Sequence, residues 1–450
     1  MEAYADRSRI LTHQSCPRRR YFEYEVPTEG KVNGIKPTRM DMNLLLGGAF
    51  HAGIEGLLSY AMCHPANPMS GEEDIDAAVN ASLNGFGDWN GYWPQVKSVG
   101  LALDPEEDAS YVYYEQAALV EALIRAYAVF VLPQVLDRFV VVDVEREEHA
   151  TFSIPGFTLN FLARVDGILL DKTTGEIFVL SLKTAKEWGK KEDDSARHDM
   201  QGLSETRTVE QRLAKWQAAC DEHGSRVLTG ELSIDVPQWF WDRYTAGAPP
   251  TVSGVIMQYA LKGRRENSPK GSGMYKFNNV LIRPWKKADD LGGPSYAIRY
   301  EFQDPMGGNH RLGKGWNRVN IWEDMGVKKW IEYLRVNEIQ GFAPGYALEA
   351  QFILPIEYFR NVEDMDRWER QVVHQEAMVA SAREQLANTP PENREFALDR
   401  FFPMHTRACD WPTKCSFQEI CFGPKAYLHD PISSGLYTIR TANHPGEKKI

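Results

Sequence analysis

Cysteine is scarce, with six in 450 residues. That is too few for a disulfide scaffold, so any meaning lies in their placement. No apolar run is long enough to span a bilayer. The longest, around Ala126–Leu136, is broken by Pro133. Residues Met1–Ile10 lack the apolar core of a secretory signal. The expectation is a soluble, cytoplasmic chain with no membrane partner. Positive charge is not in excess. The formal net charge is −11, which disfavours nucleic acid as a partner unless Lys and Arg gather locally. No Gly-x4-Gly-Lys-Ser/Thr loop, helix-turn-helix or zinc-finger pattern occurs, and no repeat or low-complexity tract. ATP-driven unwinding would therefore need a partner.

What is present supports a real core: 43% hydrophobic and 11% aromatic residues. The length allows one large domain or two modest ones. Met42–Ala61 has helical apolar spacing, with Gly47, Gly48, Gly53 and Gly56 permitting close backbone approach. Tyr114–Leu132 reads as a second, buried helix. Short β-rich runs follow at Phe139–Val144, Phe157–Leu162, Val165–Leu170 and Ile177–Leu182, with a turn at Asp171–Gly175. A helical stretch around Thr208–Ala219 leads to another strand at Val252–Leu261. Beyond it, a strand is expected near Tyr296–Phe302, and helices around Gly326–Arg335 and Glu363–Leu386. This order predicts a mixed α/β sheet. The tail after Tyr427 reads as surface extension.

Chemistry concentrates on two strands. Asp166 lies in Arg164-Val-Asp-Gly-Ile-Leu-Leu170, and Lys183 in Val179-Leu-Ser-Leu-Lys-Thr184, across the turn. A carboxylate and a lysine on neighbouring strands suit phosphodiester hydrolysis. The carboxylate helps hold Mg²⁺ or Mn²⁺, and the lysine stabilises phosphate charge or positions water. Each fragment alone is commonplace: Asp-Gly is usually a turn, and His51 alone is more often a packed or solvated helix histidine.

The motifs together resemble the core of the PD-(D/E)XK nuclease superfamily. There one strand carries Asp, and the next carries an acid, a spacer, then Lys, often followed by Thr. In the RecB-like branch an upstream helix adds His in a Gly-x-x-x-His pattern, matched here by Gly47-Gly-Ala-Phe-His51, with Glu55 one turn further on. A downstream glutamine corresponds to Gln201, and a glutamate on the preceding strand to Glu145. The resemblance implies His51, Asp166 and Glu145 as metal ligands, Lys183 as the group acting on the phosphate, and Gln201 as its assistant. One position departs: the acid two residues before the lysine is Ser181, a poor ligand for Mg²⁺. Three explanations stand: another acid takes over, the site is degenerate and binds without cutting, or the acid was replaced deliberately to trap a complex.

The cysteines extend the resemblance. Cys16-Pro-Arg-Arg-Arg-Tyr-Phe22 stands early, and Cys409-Asp-Trp-Pro-Thr-Lys-Cys415-Ser-Phe-Gln-Glu-Ile-Cys421 stands late. One early and three late cysteines resemble the iron–sulfur staple of AddB-type nucleases, shared by CRISPR adaptation nucleases and many phage exonucleases. The loop from Cys409 to Cys415 is longer than that pattern has. The resemblance implies a [4Fe–4S] cluster on Cys16, Cys409, Cys415 and Cys421 that ties the chain ends together. A Cys₄ zinc site and ordinary buried thiols are the alternatives. Cys63 and Cys220 fall outside the pattern.

A basic, aromatic-interleaved stretch at 261–287 includes Lys262, Arg264 and Arg265, and Lys186 follows the motif lysine. These are candidate contacts to DNA, with a solvated loop as the plain alternative. Arg18, Arg19 and Arg20 form a second basic cluster that could instead serve packing. The expected organisation is a helical part at 1–65, a nuclease core at 66–265, a basic loop and helical insertion at 266–400, a cysteine staple at 401–425 and a tail at 426–450. The resemblance implies a metal-dependent DNA exonuclease of phage or bacterial DNA processing, with a helicase, recombinase or CRISPR-type protein as possible partner. A catalytically dead module binding DNA or protein is the alternative.

Overall fold

The computed structural model describes residues 2–28, 31–32, 34–38, 42–68, 123–124, 127–185, 193–194, 196, 199–229, 232, 234–261, 264–267, 273–277, 280–284, 295–303, 309–311, 317–320, 352–410 and 414–441. It is a mixed α/β protein built on a mixed sheet. No helix among the described residues is long and apolar enough to cross a membrane.

In chain order, β1 (Glu2–Asp6) leads into a helix at Arg7–Ser15. Next come β2 (Pro27–Thr28), β3 (Lys31–Val32) and β4 (Ile35–Pro37), then a helix at Met42–Cys63. Two long strands follow, β5 (Phe139–Ile154) and β6 (Phe157–Asp171), then β7 (Ile177–Ala185). The sequence suggests shorter pieces here, but Val165–Leu170 continues Phe157–Leu162 without a break. The expected turn ends β6: the Asp171 carboxylate accepts from the Thr173 and Thr174 amides, and Gly175 sits at φ +75°. Only glycine adopts that conformation freely. A helix at Met200–His223 then leads towards β8 (Val252–Leu261).

The next strands are β9 (Arg264–Asn267), β10 (Gly273–Phe277), β11 (Val280–Pro284), β12 (Ser295–Gln303), β13 (Asn309–Arg311) and β14 (Asn317–Asn320). They pair as a separate antiparallel sheet. The basic stretch expected here as loop is therefore largely strand. Its runs are short and cut by Gly, Pro and Asn, which hides the period-two pattern. β15 (Phe352–Phe359) rejoins the first sheet, a helix runs over Val362–Ala387, and β16 (Tyr437–Ile439) pairs with β4. Part of the tail is thus paired strand rather than loose extension. The expected helix at Gly326–Arg335, and most of that at Tyr114–Leu132, lie outside the described residues.

The main sheet runs β1-β6-β7-β8-β15, with β5 along the other edge of β6. β5 pairs with β6 almost throughout its length. The opposite edge of β6 is shared: β1 takes residues up to Leu162, and β7 begins at Gly167. Between them the edge forks at residues 163–166, and Asp166 stands in the fork.

Helices cover both faces. A methyl group on Gly167 would touch Leu180 and Leu58, so that face lies under the Met42–Cys63 helix. On the opposite face, Ile168 and Val179 bury with Val209, Leu213 and Trp216 of the Met200–His223 helix. Alternation along the strands puts Asp166 and Ser181 on this second face, beside Ile168 and Val179.

The chain ends are bound together by charge. Arg20, 1% exposed, pairs with Glu25 and Glu376 at 2.8 Å each, and Arg383 adds a second contact to Glu25. Arg18 donates to the Phe402 carbonyl and pairs with Asp399. Arg19 pairs with Glu23. All three arginines of the early basic cluster are therefore engaged within the molecule.

Candidate metal centre

Three elements deliver the ligand groups. His51 comes from the Met42–Cys63 helix, where Gly47 lets the helix approach β7: a methyl group there would lie 3.3 Å from the Thr184 hydroxyl. Asp166 comes from the fork of β6, and Glu145 from β5. Register places Glu145 opposite Asp166, between the pairs Val144↔Gly167 and Arg146↔Val165. Glu145 sits at φ +47°, the one non-glycine residue with positive φ among those described. A non-glycine residue there costs energy, and the irregular register of β5 just before it re-aims its side chain.

One ligand atom from each of His51, Glu145 and Asp166 lies within 4.8 Å of the others. This is the tight group of metal-binding side chains among the described residues. His51 Nδ1 is 3.4 Å from Asp166 Oδ1, and the second Asp166 oxygen accepts from the Leu182 amide at 2.6 Å. Arg164 pairs with Glu145 and reaches Glu55 at 3.8 Å. Burial, then the charge of Asp166, pushes the Glu145 carboxyl up to about 7, against the pull of Arg164. Burial alone lowers the His51 imidazole. The Asp166 carboxylate outweighs it, with help from Glu145, and the net shift is upward. Two carboxylates and an imidazole within this span suit a divalent cation, with the imidazole favouring Mn²⁺ over Mg²⁺.

Lys183 shares the face of Ser181, and its Nζ lies 3.6 Å from Asp199, the N-cap of the Met200–His223 helix. Gln201, in the first turn of that helix, accepts from Arg7, which follows β1 at the fork. Ser181 is fully enclosed, and its hydroxyl has no hydrogen-bond partner.

One residue goes unnoticed in the sequence. Glu205 is 2% exposed, its Oε2 has no partner, and burial followed by the Asp166 charge holds its carboxyl well above the usual range. The available signal is its spacing: four residues after Gln201, on the same helix face.

The four pattern cysteines come from both chain ends. Cys16 caps the short helix Pro17–Arg20, and its sulfur accepts from the His405 amide at 3.5 Å. The Cys415 amide donates to the Cys409 carbonyl at 2.7 Å. Burial pushes the Cys421 thiol up to about 12, offset by Arg18 and reinforced by Cys415, Cys16 and Cys409. The four thiols thus lie within one another's field. No three of them come within 4.8 Å, and all six cysteines are free thiols. A single tetrahedral zinc, with Zn–S near 2.3 Å, would draw its sulfurs to about 3.8 Å apart. Cys415 and Cys421 pack on a cluster built around Phe22, Phe417 and Tyr437, with ring centroids 5.9 and 5.6 Å apart.

Of the candidate DNA contacts, Lys186 and Lys262 lie outside the described residues. Arg264 and Arg265 lie in β9, opposite Lys276 and Tyr275. Lys276 lies opposite Leu281, and Leu281 opposite Arg299, so Arg264, Lys276 and Arg299 belong to one row across the second sheet. Comparison with known proteins adds no identity: neither a family model nor a curated protein matches the chain.

Proposed function

We propose that the protein is a divalent-metal-dependent deoxyribonuclease of the PD-(D/E)XK type, RecB-like branch, hydrolysing phosphodiester bonds at the fork of β6. The observation that carries this is the meeting of His51, Glu145 and Asp166, with Lys183 on β7, the strand paired with β6. These residues fall in the order and on the elements that the superfamily pattern implies.

Under this reading His51, Glu145 and Asp166 hold the cation. A divalent ion supplies polarisation of the phosphate and a lowered pKa for attacking water. Lys183 brings its ammonium to the phosphate oxygens, where negative charge grows as the bond breaks. Asp199 lies 3.6 Å from that ammonium and positions it. Gln201, fixed by Arg7, lines the helix side. DNA is the substrate this chemistry suits. Arg264 and Arg265 of β9 stay candidate contacts to its backbone in this reading, despite the acidic total.

The same reading includes a structural [4Fe–4S] cluster on Cys16, Cys409, Cys415 and Cys421. Support comes from the shared field of the four thiols and the aromatic shell around Cys415 and Cys421. A brown, anaerobically purified protein absorbing near about 400 nm is the expected result, and a colourless, iron-free protein would remove the cluster.

Ser181 favours a second reading, a dead site that binds DNA without cutting. Digestion of end-labelled DNA with Mg²⁺ and with Mn²⁺ separates the two. The nuclease reading expects Lys183→Ala to lose roughly 10²–10³-fold in rate. Equal traces from both proteins would mark a contaminant and a dead site.

A further inference from the structure

We propose that Glu205 supplies the carboxylate missing at Ser181, as a fourth protein ligand of the cation held by His51, Glu145 and Asp166. The proposal rests on the metal reading above and adds a residue to it.

The geometry is set by two rows that face each other. Along β7, Val179, Ser181 and Lys183 share one face. Along the helix, Val209, Glu205 and Gln201 share another at four-residue steps. Val179 and Val209 belong to one buried cluster. At the other end, Lys183 meets Asp199 at 3.6 Å. From Val179 to Lys183 the strand advances about 13 Å at 3.3 Å per residue. From Val209 back to Asp199 the helix retreats about 15 Å at 1.5 Å per residue. Ser181, midway along the strand, therefore faces the helix near Glu205.

Both facing groups are enclosed, and each keeps an oxygen without a partner, although the Glu205 carboxyl also meets Gln201. The Ser181 hydroxyl has no partner, and neither has Glu205 Oε2. A buried polar atom left so is costly, because it has lost water and gained no partner. Glu25 and Glu376, equally buried, are by contrast both paired with Arg20. The nearby cations are committed, with Arg164 on Glu145, Arg7 on Gln201 and Lys183 on Asp199. Asp166 and Glu205 sense each other as like charges, and that repulsion helps keep Glu205 protonated without metal. A divalent cation between them would satisfy Oε2 and neutralise both. Glu205 has the one oxygen to spare that Ser181 cannot offer as a carboxylate. The acid has moved from the strand to the helix facing it.

The test is Mn²⁺ titration of the full chain by calorimetry, on the wild type, Glu205→Gln, and Glu205→Gln combined with Ser181→Asp. Metal-free melting curves accompany each. Glu205→Gln should weaken Mn²⁺ by roughly 10–100-fold, the scale for groups that support a bound metal. Its metal-free melting temperature should match or exceed the wild type, because a buried acid is replaced by its neutral isostere. Ser181→Asp in that background should restore most of the affinity. Wild-type binding that Glu205→Gln leaves unchanged overturns the Glu205 assignment alone. Loss that Ser181→Asp does not repair marks Glu205 as structural support and also overturns it. A wild type that binds no Mn²⁺ withdraws the metal reading, and this proposal with it.

Discussion

Two of the regions that bury charge treat it differently. At the chain ends, Arg20 stands between Glu25 and Glu376, and each carboxylate meets a guanidinium. At the fork of β6, Glu145 and Asp166 lie close together with His51, Arg164 pairs with Glu145, and the buried Glu205, which feels the Asp166 charge, keeps one oxygen unmet. The first arrangement is complete in itself. The second is complete only with a further positive charge. Buried ionic groups that fail to cancel, with perturbed protonation, mark functional sites more often than structural ones.

The largest effect should come from breaking the completed region. Arg20→Ala leaves Glu25 and Glu376 buried with less or no compensation. It should lower stability by about 3–5 kcal/mol in urea unfolding. A loss below about 1 kcal/mol, the scale of an exposed ion pair, would erase the contrast.

Next in size is the pH response of the incomplete region. Without metal, burial and Asp166 raise the folded Glu145 carboxyl to about 7, from 4.5. A raised acid stabilises the fold most below its unfolded value, and that contribution fades as pH rises through about 7. The cation needs Glu145 ionised, so Mn²⁺ affinity should climb about tenfold per pH unit below that value and then flatten. Calorimetry between pH 5.5 and 8, as a range spanning about one unit either side of the raised carboxyl, reads it directly. A flat profile would show that Glu145 gives up no proton to the ion.

The smallest effect concerns Ser181. Replacing it with alanine removes an enclosed, unpartnered hydroxyl and should stabilise the metal-free protein by about 1 kcal/mol. A loss of that size would reveal a hydrogen bond and narrow the difference between the two regions.

These two regions were not equally legible in the sequence. Asp166 and Lys183 stand out because they lie in strong apolar strands joined by a short turn, so a few residues fix their relation. His51 follows from a helix whose Gly47 allows close approach to the sheet. Glu145 was readable as a candidate from its place on the preceding strand, but not its left-handed backbone, which depends on the register of β5 against β6. Glu205 was missed because its burial within the field of Asp166 depends on how the helix packs on the sheet, which local sequence does not show. The partners of Arg20 also resist reading: Glu376 joins it only after the whole chain folds back. Short strands such as β9 and β10 were hidden by their charge and glycine content, where local propensity is weak.

Manganese offers the most direct test of the central claim, through anomalous diffraction from crystals of the full chain grown with Mn²⁺. The account predicts one strong peak within about 2.0–2.3 Å of a nitrogen of His51 and carboxylate oxygens of Glu145 and Asp166. A peak elsewhere, or none at the fork of β6 with Mn²⁺ in excess, would contradict it.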